Sequence, residues 1–85
     1  MKIEFTGEAD DDLQRLNHEI GHRVVTKIYW LVEHFIAHKP EPLIGTKGIF
    51  KLRVGDWRVV YEINYTKQIM YILRIGHRSK IYKRL

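Results

Sequence analysis

Three cationic side chains, Lys51, Arg53 and Arg58, lie in a stretch of sequence whose pattern is that of a β-hairpin. Apolar residues alternate with polar ones on both sides of Gly55-Asp56, as two half-buried antiparallel strands require. A two-residue loop that begins with glycine indicates a type II′ turn. The resulting register puts Arg53 directly opposite Arg58, with Lys51 on the same face. Because facing arginines repel, this face is best explained as a site for an anion. The alternative is a strand face that is merely solvated.

The positive charge of the chain is concentrated in its second half. Residues 1–42 hold five Lys and Arg against eight Asp and Glu, a net charge of −3. Residues 43–85 hold ten Lys and Arg against two Asp and Glu, a net charge of +8. A half-chain this basic predicts a polyanionic partner, most often nucleic acid.

If the anion is RNA, its cleavage without a metal needs three kinds of group. A base takes the 2′-hydroxyl proton, cations surround the phosphate, and an acid protonates the leaving 5′-oxygen. Histidine usually transfers such protons because its pKa lies near neutrality, and His77 is the only histidine in the basic half. A lysine among other cations has a lowered pKa, whereas an arginine stays protonated and mainly holds charge.

The elements that position these residues are predicted to form one α+β domain over residues 1–85, in the order β-α-α-β-β-β. Two N-terminal helices pack on one face of a twisted antiparallel sheet. A short strand through Ile3 and Phe5 precedes a helix capped by Thr6, and Asn17 marks the break before a longer helix that stops before Pro40. The apolar stripe of the second helix comprises Ile20, Val24, Ile28, Leu31 and Phe35, widened by Val25, Val32 and Ile36.

Residues 40–48 are predicted to form a connection. The hairpin follows over 49–63, and a last strand covers 69–75. The core face of the hairpin carries Phe50, Leu52, Val54, Trp57, Val59 and Tyr61.

The composition excludes several classes of protein. There is no cysteine, and hence neither a disulfide framework nor a thiol nucleophile. No apolar run approaches the roughly 20 residues that cross a bilayer, and the N-terminus lacks the apolar region of a signal peptide. We therefore expect a cytoplasmic protein without a membrane partner.

One motif points to a different chemistry. The run from His18 to His22 matches H-E-x-x-H, the signature of zinc metalloproteases. The longer form of that motif requires glycine and histidine where this chain has Val25 and Ile28. The motif also spans the predicted start of the second helix, so a chance match is the favoured interpretation. His34 and His38 share the same spacing, which a surface helix explains without a metal.

The hairpin sequence from Lys51 to Tyr61, the ending Ile75-Gly76-His77-Arg78 and the element order together resemble the RelE branch of the RelE/ParE toxin superfamily. The resemblance covers nearly the whole chain. It implies the toxin of a type II toxin–antitoxin system, a metal-free and cofactor-free endoribonuclease that cuts messenger RNA in the ribosomal A site. The implied partners are a cognate antitoxin that wraps around the toxin, the ribosome with its message, and operator DNA only as the toxin–antitoxin complex.

The resemblance also implies roles for individual residues. Lys51 corresponds to the general base or electrostatic activator of the 2′-hydroxyl, and Arg53 to a phosphate ligand. Arg58 corresponds to a stabiliser of the transition state and Arg78 to a group on the leaving side, while Tyr82 stacks on or orients a base.

The residues around this set are expected to bind RNA. Lys80, Lys83 and Arg84 would grip ribosomal RNA, and His77 either contributes to RNA binding and proton transfer or faces solvent. Tyr29 and Trp30 either pack at the edge of the core or contact the antitoxin, with packing favoured. Two other functions remain open: a ParE-like inhibitor of DNA gyrase, and an inactive relative that binds only nucleic acid or an antitoxin.

Overall fold

The computed structural model describes residues 1–84, with side chains up to Lys83. Two helices pack against one five-stranded sheet, which confirms the predicted two-layer α+β architecture. The helices are α1 (Gly7–Arg15), α2 (His18–Glu33) and a C-terminal 3₁₀ helix (Ile81–Arg84). The strands are β1 (Lys2–Phe5), β2 (Glu41–Pro42), β3 (Ile49–Val54), β4 (Trp57–Asn64) and β5 (Ile69–His77). Their order across the sheet is β1-β5-β4-β3-β2.

The hairpin of β3 and β4 has the predicted register. Arg53 pairs with Arg58, and Val54 pairs with Trp57. Gly55 has a φ of +60°, whereas the φ of Asp56 is not positive. This combination is that of a type II′ turn. The cations are therefore held on one face by backbone pairing.

Side-chain caps start both helices where the sequence predicted. The Thr6 hydroxyl accepts the Ala9 amide at 3.1 Å, and the Asn17 carboxamide oxygen accepts the Ile20 amide at 2.9 Å. Each cap satisfies a backbone donor that has no partner within its own helix.

The second helix is shorter than predicted. It ends at Glu33 rather than near Pro40, and its buried stripe consists of Val24, Ile28 and Leu31. Ile36 was expected to widen that stripe, but it is fully exposed. The chain leaves helical geometry at His34, so positions beyond it no longer follow the helical period.

Two features of the sheet differ from the sequence prediction. Residues 40–48 contain a two-residue edge strand, β2, in which Glu41 pairs with Lys51 and Pro42 with Phe50. Proline is tolerated there because an edge strand leaves one row of backbone groups unpaired. In addition, β1 runs parallel to β5, so the sheet is mixed rather than purely antiparallel. The β1–β5 pairing joins the two ends of the chain, and β2 is too short to show an alternation, so local periodicity predicts neither pairing.

A β-bulge in β5 connects the sheet to α1. Between Val60 and Tyr61 the partner on β5 moves from Arg74 to Ile72, which leaves Leu73 as the extra residue. The Leu73 carbonyl accepts the Thr6 hydroxyl at 3.0 Å. The start of α1 is therefore attached to the bulge.

The buried carboxylate of Asp12 makes a second attachment between α1 and β5. Its two oxygens accept Arg74 Nε at 2.8 Å and Nη2 at 3.1 Å, and one also accepts the Ile75 amide at 3.0 Å. The hydrogen bond to Asp12 raises the pKa of Arg74 above its ordinary value. β1 ends at Phe5, the partner of Ile72. Beyond that point Asp12, rather than a strand, accepts a backbone amide at this edge of β5, that of Ile75.

We expect Asp12→Ala to lower the free energy of unfolding by about 1–3 kcal/mol, because it removes the buried acceptor of the Ile75 amide and of Arg74, while exposed Glu8 still pairs with Arg74. Urea denaturation of the purified protein measures the loss. Asp11→Ala, at an exposed position in the same helix, is the control and should change stability by less than about 0.5 kcal/mol. Equal effects of the two substitutions would contradict the anchoring role of Asp12.

Tyr61 provides a test of the core. Its ring is fully buried, and its hydroxyl has no hydrogen-bond partner among the described residues. Burial raises the pKa of Tyr61 to about 12. The unfolded chain therefore loses this proton near pH 10 while the folded chain keeps it, so stability falls as pH rises from about 10 to about 12.

Tyr61→Phe should remove that alkaline loss and raise stability at neutral pH by about 1–3 kcal/mol, because an unpaired buried hydroxyl is costly. Thermal unfolding at neutral and alkaline pH measures both effects. Tyr65→Phe, at an exposed ring, is the matched control. A loss of stability in Tyr61→Phe at neutral pH would indicate that the hydroxyl is paired after all.

Candidate functional site

A carboxylate lies between the first two cations of the predicted site. The Glu41 side chain accepts two hydrogen bonds from Arg53, from Nη2 at 2.8 Å and from Nε at 3.2 Å. Lys51 Nζ is 3.9 Å from the same carboxylate. The β2–β3 pairing produces this geometry by placing Glu41 opposite Lys51. The structure therefore brings Lys51 and Arg53 together and adds an acid that sequence reasoning missed.

Glu41 carried one signal in the sequence. It stands between Pro40 and Pro42, directly before the basic strands. Two prolines around one acid restrict the backbone and favour an extended conformation. That arrangement fits an edge strand beside the hairpin, but it does not indicate which residue the acid faces.

The repulsion expected between Arg53 and Arg58 is avoided because the two side chains diverge. Arg53 turns toward Glu41, whereas Arg58 folds over the hairpin turn. There Arg58 Nη1 donates to the carbonyls of Gly55 and Trp57, both at 2.8 Å. Each guanidinium thus has an acceptor of its own.

Arg78 joins Arg58 at the end of the hairpin. Its backbone amide donates to the Asp56 carbonyl at 2.8 Å, which fixes the chain after β5 against the turn. Its Nε lies 3.6 Å from the Asp56 carboxylate, but both side chains are well exposed, so this ion pair contributes little stability. The guanidinium of Arg78 is therefore accessible.

Tyr82 completes the group around Lys51. Its ring centre is 5.7 Å from Lys51 Nζ, within the range of a cation–π contact. Lys51 itself is only 18% exposed, and Val60, its partner in the sheet, is fully buried. This part of the face is thus covered by other groups, which argues against a strand face that is merely solvated.

The position of Tyr82 depends on a glycine in β5. Ile81 is buried, and a Cβ atom at Gly76 would lie 3.1 Å from its terminal methyl group. Gly76 is paired with Arg58 in the sheet. The absence of a side chain there leaves room for the 3₁₀ helix to pack against the sheet next to the cations.

His77 does not join this group. It pairs with Trp57, and the two rings meet edge to face with centres 5.4 Å apart. Directly opposite residues share a face of the sheet, so His77 lies on the Trp57 side, away from Arg58. Its Nδ1 accepts the Ser79 amide at 3.2 Å, which in the neutral ring leaves the proton on Nε2. The geometry does not favour proton transfer by His77 at the cluster.

The remaining predicted RNA contacts lie near the C-terminus. Lys80 and Lys83 are exposed and form no ion pair with the described residues. The side chain of Arg84 lies outside the described residues. These positions are compatible with contacts to a polyanion, which stay predictions.

The metalloprotease-like motif begins at the first residue of α2, directly after its cap. Both of its histidines, His18 and His22, are exposed. Within residues 1–84, no group of three or more His, Asp or Glu side chains is arranged to hold a metal ion. No helix in that range is both long enough and apolar enough to cross a membrane.

Comparison with known proteins gives consistent matches. Residues 3–82 match a family model described as "ParE toxin of type II toxin-antitoxin system, parDE". The chain is 31% identical over 83 residues to Toxin RelG of Mycobacterium tuberculosis (strain ATCC 25618 / H37Rv), covering 96% of this chain and 95% of that protein.

Two solved structures of toxin chains have folds similar to that of this chain. The toxin–antitoxin complex RelBE2 from Mycobacterium tuberculosis contains a chain with a TM-score of 0.78 and 28% identity, covering 91% of this chain and 96% of that one. The isolated E. coli RelE toxin has a TM-score of 0.76 over 98% of this chain and 96% of its own. At 18% identity, the second likeness concerns the fold alone.

Gly76→Val should displace the 3₁₀ helix, because the added branches would overlap Ile81, and should move Tyr82 away from Lys51. We expect a stability loss of about 1–3 kcal/mol and the loss of nuclear Overhauser contacts between the Tyr82 ring and the Lys51 side chain. Gly76→Ala is the graded control, since rotation of the Ile81 methyl accommodates a single carbon. Retention of the contacts in Gly76→Val would show that Gly76 does not set the position of Tyr82.

Proposed function

The chain belongs to the RelE/ParE superfamily of toxins from type II toxin–antitoxin systems, and on this basis we propose that it is a ribosome-dependent endoribonuclease. Its substrate is messenger RNA in the ribosomal A site, and its action inhibits translation in the cytoplasm. The observation that carries the proposal is the convergence of Lys51, Arg53, Glu41 and Tyr82 at one edge of the hairpin. A gyrase inhibitor does not require this set of groups.

The reaction that this set supports is attack of a ribose 2′-oxygen on the adjacent phosphorus. The O2′–P bond forms, the P–O5′ bond breaks, and the products are a 2′,3′-cyclic phosphate and a free 5′-hydroxyl. The 2′-hydroxyl loses its proton to a base, and the 5′-oxygen gains one. No oxidant, reductant or cofactor is consumed.

Two residues at the cluster are suited to activating the 2′-hydroxyl. Lys51 does so as a general base when neutral, or as a cation that stabilises the developing alkoxide. The Glu41 carboxylate, which accepts two hydrogen bonds from Arg53, is a second proton acceptor at the cluster. It lies within 3.9 Å of Lys51 Nζ, so one substrate hydroxyl can approach both groups.

Binding of the scissile phosphate requires an exchange of partners by Arg53. In the free protein its guanidinium holds Glu41 with two hydrogen bonds. A phosphate offers the same forked arrangement of oxygens. When Arg53 turns to the phosphate, it releases the Glu41 carboxylate for proton transfer.

The other three residues act around this centre. Arg58 and Arg78 lie at the hairpin turn and, as permanent cations, stabilise charge that develops on the phosphate and on the leaving 5′-oxygen. Tyr82 has a partly exposed ring beside Lys51 and stacks on or orients a nucleotide base. Orientation by the ribosome supplies the alignment that so small a site lacks.

A cognate antitoxin is the proposed protein partner. The similar Mycobacterium tuberculosis structure is a toxin–antitoxin complex, which supports this assignment. We further propose that operator DNA is bound only by the toxin–antitoxin complex. Exposed Lys80 and Lys83, with Arg84, are proposed to contact ribosomal RNA.

A cleavage assay on programmed ribosomes tests the enzymatic function. Mapping 5′ ends of the message by primer extension should reveal cuts inside the A-site codon that are absent when the protein is left out. Lys51→Ala, Arg78→Ala and Glu41→Gln should each slow cleavage by about 10²-fold or more, as loss of a group that acts in the transition state does. Lys67→Ala, at an exposed turn residue, is the matched control and should cleave normally.

Two other outcomes would contradict the proposal. An uncut message from protein that still arrests growth would favour inhibition of DNA gyrase, which the ParE description of the matching family model keeps as the second candidate. A supercoiling assay would then identify that target. An uncut message without growth arrest would indicate an inactive relative that retains only binding.

A further inference from the structure

A groove beside the Lys51 cluster is lined by cations, and none of the described residues that line it is acidic. It has a volume of about 470 Å³ and lies between α2 and the end of the β3–β4 hairpin. Its charged side chains are Arg23 and Lys27 from α2 and Arg53 from β3. We refer to it as the α2 groove.

The two cations contributed by α2 lie beside the hairpin turn and an aromatic ring, and neither is neutralised. Nη2 of Arg23 lies over the hairpin turn, 3.1 Å from the position of a Cβ atom at Gly55. Nζ of Lys27 lies 3.8 Å from the centre of the Trp30 ring. Neither cation forms an ion pair with any of the described residues.

The spacing of these cations disfavours a purely structural role. Arg23 and Lys27 are four positions apart on α2, so they project from the same side of the helix and repel each other. Glu19 lies four positions before Arg23 on α2, but it forms an ion pair with neither cation. The charge of the pair therefore stays available to an anion. The cation–π contact restrains Lys27 without removing its charge.

The groove is suited to phosphates rather than to bases. Trp30 is its aromatic side chain, but Lys27 lies over that ring and His34 stacks on it with ring centres 4.7 Å apart. A nucleotide base would have to displace one of them to stack. Contacts to the sugar–phosphate backbone require no such displacement.

The α2 groove is continuous with the proposed catalytic cluster. A second cavity of about 360 Å³ is lined again by Lys27 and Arg53, and also by Lys39, Glu41 and Lys51. The two cavities therefore share two cations around the edge of β3. An RNA chain whose scissile phosphate lies at Lys51 and Arg53 can continue along this edge to α2.

We propose that the α2 groove binds the backbone of the RNA strand next to the cleavage position, with Arg23 and Lys27 each contacting a phosphate irrespective of sequence. This inference rests on the proposed RNA substrate and adds a binding site to it. The ligand class is a single-stranded polyanion. An acidic segment of a protein partner is the alternative ligand that the experiment must distinguish.

The test measures binding of a 2′-O-methyl RNA, which cannot be cleaved, by fluorescence anisotropy over a range of salt concentrations. The RNA is about 12 nucleotides long, within the usual length of single-strand sites, and a trinucleotide that spans only the cluster is measured beside it. The variant is Arg23→Gln/Lys27→Gln. The control, Lys2→Gln/Lys67→Gln, removes the same charge at exposed positions.

We expect the groove variant to bind the long RNA about tenfold more weakly, with its salt slope reduced by about 1.4, since each phosphate contact to a single strand contributes about 0.7. Binding of the trinucleotide should not change. The inference is wrong if the groove variant matches the control on the long RNA, or if it weakens both RNAs equally. It is also wrong if the variant loses affinity for the antitoxin but not for RNA.

Cleavage on programmed ribosomes, measured in parallel, separates this inference from the proposed function. If the wild type cleaves normally and the groove variant has an unchanged salt slope, the inference is wrong and the proposed function stands. A reduced slope with no cleavage by the wild type would overturn the proposed function and leave the groove as a site for single-stranded nucleic acid.

Discussion

The buried Asp12 carboxylate is the interaction on which the arrangement of the cationic hairpin face and the C-terminal residues depends. A single side chain bonds a guanidinium and a backbone amide on β5, at the point where β1 has ended and the edge of the sheet would otherwise be open. Together with the hydroxyl of Thr6 on the bulge, it fixes α1 to the last part of that strand. Gly76, Arg78 and the 3₁₀ helix all follow from there. The contact of Asp12 with β5 therefore helps to set their positions relative to the hairpin.

The cations of this small protein are arranged so that few oppose each other directly. Arg53 takes a carboxylate, Arg58 takes two carbonyl oxygens of the turn, and Lys27 lies over an aromatic ring. None of these contacts requires deep burial of a charge, so none carries a large desolvation penalty. Arg53, Arg58 and Lys27 therefore each have a defined orientation on the surface. A polyanion would meet side chains that are already ordered, which lowers the entropy lost on binding.

The sequence predicted those parts of the structure that depend on neighbours in the chain. The hairpin register follows from alternation around Gly55, and the helix starts follow from Thr6 and Asn17, because both are encoded within a few residues. The sequence therefore predicts that Lys51, Arg53 and Arg58 share one face. Glu41, by contrast, reaches the cluster through a two-residue strand whose pairing no local pattern specifies. The charge distribution does not single out Arg23 and Lys27, because they lie in the half of the chain whose net charge is negative. The sequence places His77 beside Arg78 in the basic half of the chain, but its pairing with Trp57 places its side chain on the opposite face of the sheet from Arg58.

Glu41 also has a consequence for selectivity among ligands. A cluster of uncompensated lysine and arginine would adhere to any abundant polyanion, and most such encounters would be unproductive. An internal carboxylate that already occupies the forked donors of Arg53 makes every phosphate compete for them. A loosely bound strand gains little from that exchange, while a strand aligned by additional contacts gains enough to displace the carboxylate. In the proposed RNA-binding role, Glu41 would therefore lower the affinity of Arg53 for any phosphate that no other contact holds in place.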